Sequence, residues 1–264
     1  MPNDLFNIDE YFERIGYSGG KELSYETLYG LHTCHTMNIP FENLDVYAGK
    51  PILLDPDSLF QKIVKNKRGG YCFEMNGLFS FVLKQLGFKV TDLLARVSRD
   101  GVAYGAKTHQ VLMIEIGDEK YLADVGFGNN GITAPILFRE NVEQHQFMNT
   151  YRIVNDLKHG YVLQRKVEGN FLNMYVFTLE ECNPIDYEVS NFYCYANSNS
   201  VFRSMKFITK PTTNGRLTLT DNHLKILDNG SITEEVISSD EEYNMCLLRN
   251  FGIDWKLVNY TGIK

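Results

Sequence analysis

The hydrophobic period of this chain changes once, at Gly87, and that change limits the fold more than any other feature. Before it, apolar residues recur at three- and four-residue spacing, the mark of amphipathic helices. After it, short β-type runs alternate with Gly, Asn and Asp turns: FKVTDLLARV, HQVLMIEI, KYLADVGF, YRIVND, GYVLQRKV and NMYVFTL. Such spacing predicts an antiparallel barrel or sandwich. The chain is thus α+β, with its helices gathered at one end rather than alternating with strands.

Four helices are expected in the first part. Leu5, Ile8, Phe12 and Ile15 share one stripe, which Gly16 stops. Ser24 caps a second helix carrying Leu28, Leu31 and His35, which must end before Pro40. Asp57 or Ser58 caps a third, with Leu59, Phe60, Ile63 and Val64 on one face and Gly69-Gly70 at its end. The fourth starts near Cys72, buries Leu78, Phe79, Val82, Leu83 and Leu86, and ends at Gly87. Beyond about residue 190 the pattern is mixed: RLTLTDNHLKILDN reads as a hairpin and DEEYNMCLLRNFGI as a last helix. The expected units are residues 1–87, 88–190 and 191–264.

Charge excludes some functions. The net charge is −7, and no basic stripe of the kind nucleic-acid binders carry is visible. The one basic cluster, KIVKNKR at 62–68, is expected to complement the dipole at a helix C-terminus. No apolar run approaches the ~20 residues of a membrane span, and the N-terminus lacks the layout of a secretory signal. The five cysteines, at 34, 72, 182, 194 and 246, contain no CxxC pair. A reducing cytoplasm with free thiols is the expectation.

One cysteine stands out by position. In RGGYCFEMNG, Cys72 follows two glycines and opens a helix. A helix N-terminus presents unpaired N–H groups and a partial positive charge, which favour a thiolate. The glycines would let the turn come close and leave room for a substrate. A small apolar packing residue is the plain alternative. A cysteine nucleophile needs a base and a group that orients the base. His109 opens the run THQVLMIEI, and Gly117-Asp118 suits a two-residue type II′ turn. Ile116 then pairs with Glu119, His109 lies opposite Gly126, and Asp124 lies opposite Val111. His109 and Asp124 become diagonal neighbours on one face, roughly 7–8 Å apart at the backbone. Satisfied strand-end residues are the alternative for both. Chain order Cys, His, Asp also occurs in papain-like and transglutaminase-like enzymes.

Other groups carry less. His32, Cys34 and His35 sit within one helical turn, but nothing beside them has convincing ligand spacing, so a core or helix-surface role is expected and no metal. The glycines of VGFGNNG lack the strand-to-helix context of a dinucleotide site, though Gly126 and Gly128 offer backbone N–H groups to an acyl or anionic ligand.

RGGYCFEMNG, THQVLMIEI and LADVGFG, in this order and spacing, resemble the arylamine N-acetyltransferases. IPFENLD at 39–45, NFYCYANSNSVF at 191–202 and GRLTLTDNHLKI at 215–226 extend the resemblance over most of the chain. It implies a helical bundle, a β-barrel and an α/β lid around a cysteine-protease-like core. It also implies acetyl-CoA as acyl donor, and aromatic amines, hydrazines or hydroxylamines as acceptors. Cys72, His109 and Asp124 match the family triad one for one. Phe127 matches a position lining the acceptor pocket; Val97 and Phe202 match pocket positions less closely. Many relatives carry a further Gly and a Pro-rich run after GFG, where this chain reads NNGITAPI, near the expected CoA path. The long insertion of vertebrate members is missing, which implies a bacterial-type member. A papain-type hydrolase and a catalytically silent binding relative are the rival readings.

Overall fold

The computed structural model describes residues 6–255; Leu5, expected on the first helical stripe, lies outside them. The helical part holds α1 (Ile8–Ile15), α2 (Tyr25–Asn38), a two-residue strand β1 (Phe41–Glu42), α3 (Leu44–Tyr47), α4 (Pro56–Phe60) running into a π turn at Gln61–Lys65, and α5 (Cys72–Leu86). Gly16 ends α1 and Gly87 ends α5, both in the left-handed region. The Ser24 side chain caps α2 by accepting from the Thr27 N–H at 3.2 Å.

The third helix departs from expectation at both ends. Its cap is Asp55, whose side chain accepts from Ser58 N–H. Pro56 at the first helical position has no N–H to lose there, which moves the start two residues upstream. Gly69 and Gly70 do not end this helix. A Cβ on Gly69 would lie 1.9 Å from the Pro40 carbonyl oxygen, and one on Gly70 would lie 2.7 Å from Glu74 Cβ. The space they leave is therefore filled by backbone and by Glu74, not by a substrate.

Of the basic cluster, Lys62 and Lys65 stand in the last turn of the helix as expected, and Lys62 and Arg68 also pair with acids. Lys62 bonds Asp45 at 2.8 Å and Glu74 at 2.6 Å, and Arg68 bonds Glu42 at 2.6 Å and Asp45 at 3.2 Å. Arg68, Glu42 and Glu74 are buried. The helix end thus also takes part in a partly buried ion network with Glu42, Asp45 and Glu74. Burial alone would raise the Asp45 carboxyl, but Lys62, Arg68 and Lys50 outweigh it and bring it to about 2.

From β2 (Lys89–Ser98) the chain builds one eight-stranded antiparallel sheet that curls almost closed. Its other strands are β3 (Tyr104–Ile116), β4 (Glu119–Ala123), β5 (Ile136–Leu137), β6 (Gln144–Gln146), β7 (Asn149–Asp156), β8 (Gly160–Val167) and β9 (Asn170–Phe177), in the order β5-β4-β3-β2-β9-β8-β7-β6. Leu93, Ala95, Val111, Met113, Leu163 and Tyr175 fill its interior.

The remaining elements are α6 (Pro184–Ala196), α7 (Val201–Ser204), β10 (Phe207–Thr212), β11 (Gly215–Thr220), β12 (His223–Asp228), β13 (Ser231–Val236) and α8 (Asp240–Cys246), which continues as a π turn at Leu247–Phe251. The expected hairpin at 215–228 is the centre of a five-stranded sheet, β1-β10-β11-β12-β13. Its first strand comes from the helical part: Phe41 pairs with Thr209 and Glu42 with Ile208. Asn43 fastens the same junction by donating to the Phe202 and Met205 carbonyls and accepting from Phe207 N–H.

Candidate active site

The β3–β4 hairpin turns at Gly117-Asp118 with Gly117 at φ +58°, and Ile116 pairs with Glu119 as expected. The ladder stops at Leu112–Ala123. Asp124 is therefore not paired with Val111, nor His109 with Gly126. The chain bends away because its polar groups find other partners: Asp124 N–H donates to His32 Nε2 at 3.1 Å, and Val125 N–H donates to Asn76 Oδ1 at 2.9 Å. His109 does not open its strand either. β3 begins at Tyr104, and His109 lies opposite Ala95 where the β2–β3 register slips. Such bulges re-aim side chains. His109 Nε2 and Asp124 Oδ2 still meet, at 2.7 Å, with both residues buried.

Cys72 is the first residue of α5 and is 3% exposed. Glu74 shapes this helix start by accepting from Tyr71 N–H at 3.0 Å. The Cys72 thiol donates to the carbonyl of Thr108, the neighbour of His109, at 3.6 Å. Gly126 lies directly over the cysteine: a Cβ there would be 2.8 Å from Cys72 Cα, so only glycine lets the loop after Asp124 pack this closely. The thiol, the imidazole and the carboxylate thus come from α5, β3 and the loop after β4.

The electrostatics differ from those expected of a bare helix start. Burial, with Cys194 and Asp124 nearby, pushes the Cys72 thiol well up, while the N–H groups of Gln110 and Phe73 act in the opposite direction. Desolvation thus acts against the helix terminus, which by itself favours the thiolate. Asp124 moves the other way. Burial would raise it, but His109, Asn76 and the Gly126 N–H hold its carboxyl below the usual range. Because Asp124 takes Nε2 of His109, Nδ1 is left to exchange a proton.

Two supporting residues, Asn76 and Tyr175, have no role in the sequence reading, and His32 is expected there only as a core or helix-surface residue. Asn76, one turn after Cys72, donates to Asp124 Oδ1 at 2.9 Å and to the Gln110 carbonyl at 2.7 Å. His32 accepts the Asp124 N–H, so its Nε2 carries no proton; burial lowers its pKa to about 4. Tyr175 packs its ring 5.2 Å from that of His109. The i, i+4 spacing of Cys72 and Asn76 was a readable signal. The other two depend on contacts distant in sequence. His35 is also a core residue, its Nδ1 2.7 Å from the Tyr11 hydroxyl, and Cys34 is half-buried.

The pocket residues surround this centre to different degrees. Phe127 sets its ring edge-on to His109 at 5.2 Å and 5.4 Å from Tyr175. Val97 lies opposite Tyr175 across β2 and β9. Phe202, on α7, packs its ring against Tyr71 at 5.8 Å and Phe41 at 6.2 Å. Gly128 turns with φ +82° against the Phe41 ring. Asp124, Phe127, Gly128, Thr209 and Arg216 line a narrow cleft.

Residues 24–259 match the family model described as N-acetyltransferase. The chain is 39% identical to an arylamine N-acetyltransferase of Escherichia coli over 230 residues, 86% of this chain and 82% of that protein. Its fold matches the structure of a Mycobacterium tuberculosis arylamine N-acetyltransferase with a TM-score of 0.91, at 31% identity over 97% of both chains. It also matches a Mycobacterium marinum arylamine N-acetyltransferase solved in complex with CoA, with a TM-score of 0.89, at 30% identity over 96% of this chain and 95% of that one.

Proposed function

The chain belongs to the arylamine N-acetyltransferases as a bacterial-type member and is an acyltransferase; from that premise we propose that it moves acetyl from acetyl-CoA to aromatic amines or hydrazines through an acetyl-Cys72 intermediate. The observation that carries this reading is the buried 2.7 Å pair of His109 and Asp124 beside a buried cysteine at a helix start.

In the proposed cycle Asp124 fixes the ring of His109 and stabilises its cationic form. His109 Nδ1 takes the thiol proton as Cys72 Sγ bonds the acetyl carbon of the thioester. The oxyanion accepts from the Cys72 N–H, which has no partner within its own helix because it lies in the first turn; one such donor is worth about 10²–10³-fold in rate. The bond from carbon to the CoA sulfur breaks, and CoA leaves with the proton from His109. An arylamine, neutral near pH 7, then attacks the acetyl-cysteine. Nitrogen–carbon bonding replaces sulfur–carbon bonding, and the amine proton passes through His109 back to the Cys72 sulfur.

Phe127, with Val97 and Phe202 farther out, is proposed to shape the acceptor site. Gly126 and Gly128 are proposed to border the donor. The exchange needs no metal. A reducing cytoplasm would keep Cys72 free. The test is intact-protein mass spectrometry after mixing with acetyl-CoA alone. One acetyl group that persists without amine and vanishes when an arylamine is added supports transfer. An acetyl group lost equally fast to water favours a hydrolase, and no adduct removes the covalent route.

A further inference from the structure

Arg216 is a half-buried arginine on the wall of the cleft that also holds Asp124, Phe127 and Gly128. Its Nη1 donates to the Gly128 carbonyl and to Thr209 Oγ1, both at 3.1 Å. Neither contact is a charge, and among the described residues no carboxylate forms an ion pair with it. Burial brings its guanidinium down to about 10, with Arg165 pushing in the same direction.

Arg165 is the second cation. It sits on β8 directly opposite Tyr151 of β7, so the two side chains share a face. Its Nη1 donates to Asn149 Oδ1 at 3.1 Å, and it too has no ion pair among the described residues. The Tyr151 hydroxyl is bonded to the Asn130 and Gly131 carbonyls at 3.0 and 2.9 Å. Tyr151 and Arg216 therefore grip the stretch 128–131 through its carbonyls, and Arg165 lies next to Tyr151 across the ladder. Among the other desolvated cations, Lys62 and Arg68 each have two carboxylates, whereas Arg14 is held by the Ile63, Asn38 and Arg68 carbonyls and does not line this cleft. A partly desolvated guanidinium without a counter-ion costs stability unless something supplies negative charge, and its planar fork suits carboxylate and phosphate oxygens.

The glycine stretch links these arginines to Cys72. Gly126 packs on the Cys72 backbone, and Gly128, whose carbonyl Arg216 holds, is two residues away, a span of at most about 7 Å. We infer that Arg216, backed by Arg165, forms a subsite for an oxyanion carried by one of the two substrates, placed against the 128–131 stretch, two residues from the glycine that packs on Cys72. This rests on the acetyl-transfer reading for the identity of the substrates. A phosphate of the acyl donor and a carboxylate on the aromatic acceptor offer the same chemistry.

Binding rather than turnover tests it, so that a failure of acetyl transfer is seen separately. Isothermal titration would compare CoA with pantetheine, which lacks the phosphates, and 4-aminobenzoate with its methyl ester, on wild type, Arg216→Gln and Arg216→Lys. The expected result is that Arg216→Gln raises Kd at least about 10-fold for the charged member of one pair, while its neutral partner changes less than about threefold. Arg216→Lys should fall between. The pair that responds identifies the source of the anion. The inference is overturned if charged and neutral members weaken alike, if neither weakens, or if wild type binds no charged ligand better than its neutral partner. Should Arg216→Gln fail to fold, Arg165→Gln is read by the same criterion, with at least about a threefold selective loss expected.

Discussion

Asn76 Nδ2 lies 2.9 Å from Asp124 Oδ1, so the helix that begins with Cys72 also holds the carboxylate that bonds His109. The three groups are joined through one turn of α5 and not only through the sheet. Asn76→Ala should remove one of the two donors to that oxygen, the other being Gly126 N–H. It also orphans Val125 N–H. We expect kcat/KM for acetyl transfer to fall at least about 10-fold, with Asn76→Asp no better because it sets a second carboxylate against Asp124. Activity within twofold of wild type for Asn76→Ala would make Asn76 a packing residue.

Asp124→Asn keeps size and most hydrogen bonds but removes the charge facing His109. In a serine protease triad the corresponding change costs about 10⁴-fold, a published template value; a thiol depends less on its base, so at least about 10²-fold is expected here. The pH profile of iodoacetamide alkylation at Cys72 gives a second readout. Burial already raises this thiol. Weakening the base that takes its proton should shift the alkylation profile to higher pH. Superimposable profiles with near-normal transfer would leave Asp124 as a turn residue.

Phe127 touches the imidazole by ring edge and faces the cleft. Phe127→Ser should alter relative rates across substituted anilines and hydrazines by about 10-fold, and change the rate of Cys72 acetylation by less than about threefold. A selectivity panel that keeps its order would take Phe127 out of the acceptor site.

Asp45 links the ion network under α5 to pH. Its carboxyl is held at about 2, against an ordinary 3.8. A depressed carboxylate contributes stability above the unfolded value, and that contribution is lost as pH falls from about 4 towards 2. At 1.36 kcal/mol per pH unit it is worth about 2 kcal/mol at neutral pH. Asp45→Asn should therefore lower unfolding stability by about that amount at pH 7, and wild type and variant should converge near pH 2. Equal urea midpoints at pH 7 would show that Lys62 and Arg68 are satisfied by Glu42 and Glu74 alone.

Local rules made much of this molecule readable. The Ser24 cap, the Gly87 stop and the Gly117-Asp118 turn each depend on a few neighbouring residues, and each stands where its chemistry places it. The turn carried the most weight, because it set the register that brings His109 towards Asp124. The failures are of two kinds. Asp55, not Asp57, caps its helix because Pro56 is suited to the first helical position, a choice between two nearby acidic caps. The β1–β10 pairing, the His32–Asp124 bond and the network around Arg68 join residues far apart in sequence. No local period encodes them. The thiol at Cys72 shows a related limit: a helix start is visible in sequence, but the burial that pushes the thiol up is not.

The most direct measurement is the site and lifetime of an acetyl group on the protein. Acetyl-CoA is mixed with enzyme in the absence of amine, the intact mass is taken, and the modified peptide is sequenced. We predict one acetyl group, on Cys72, discharged by an arylamine and absent from Cys72→Ala. Acetylation of Cys34, Cys182, Cys194 or Cys246 instead, or full transfer activity in Cys72→Ala, would contradict the account.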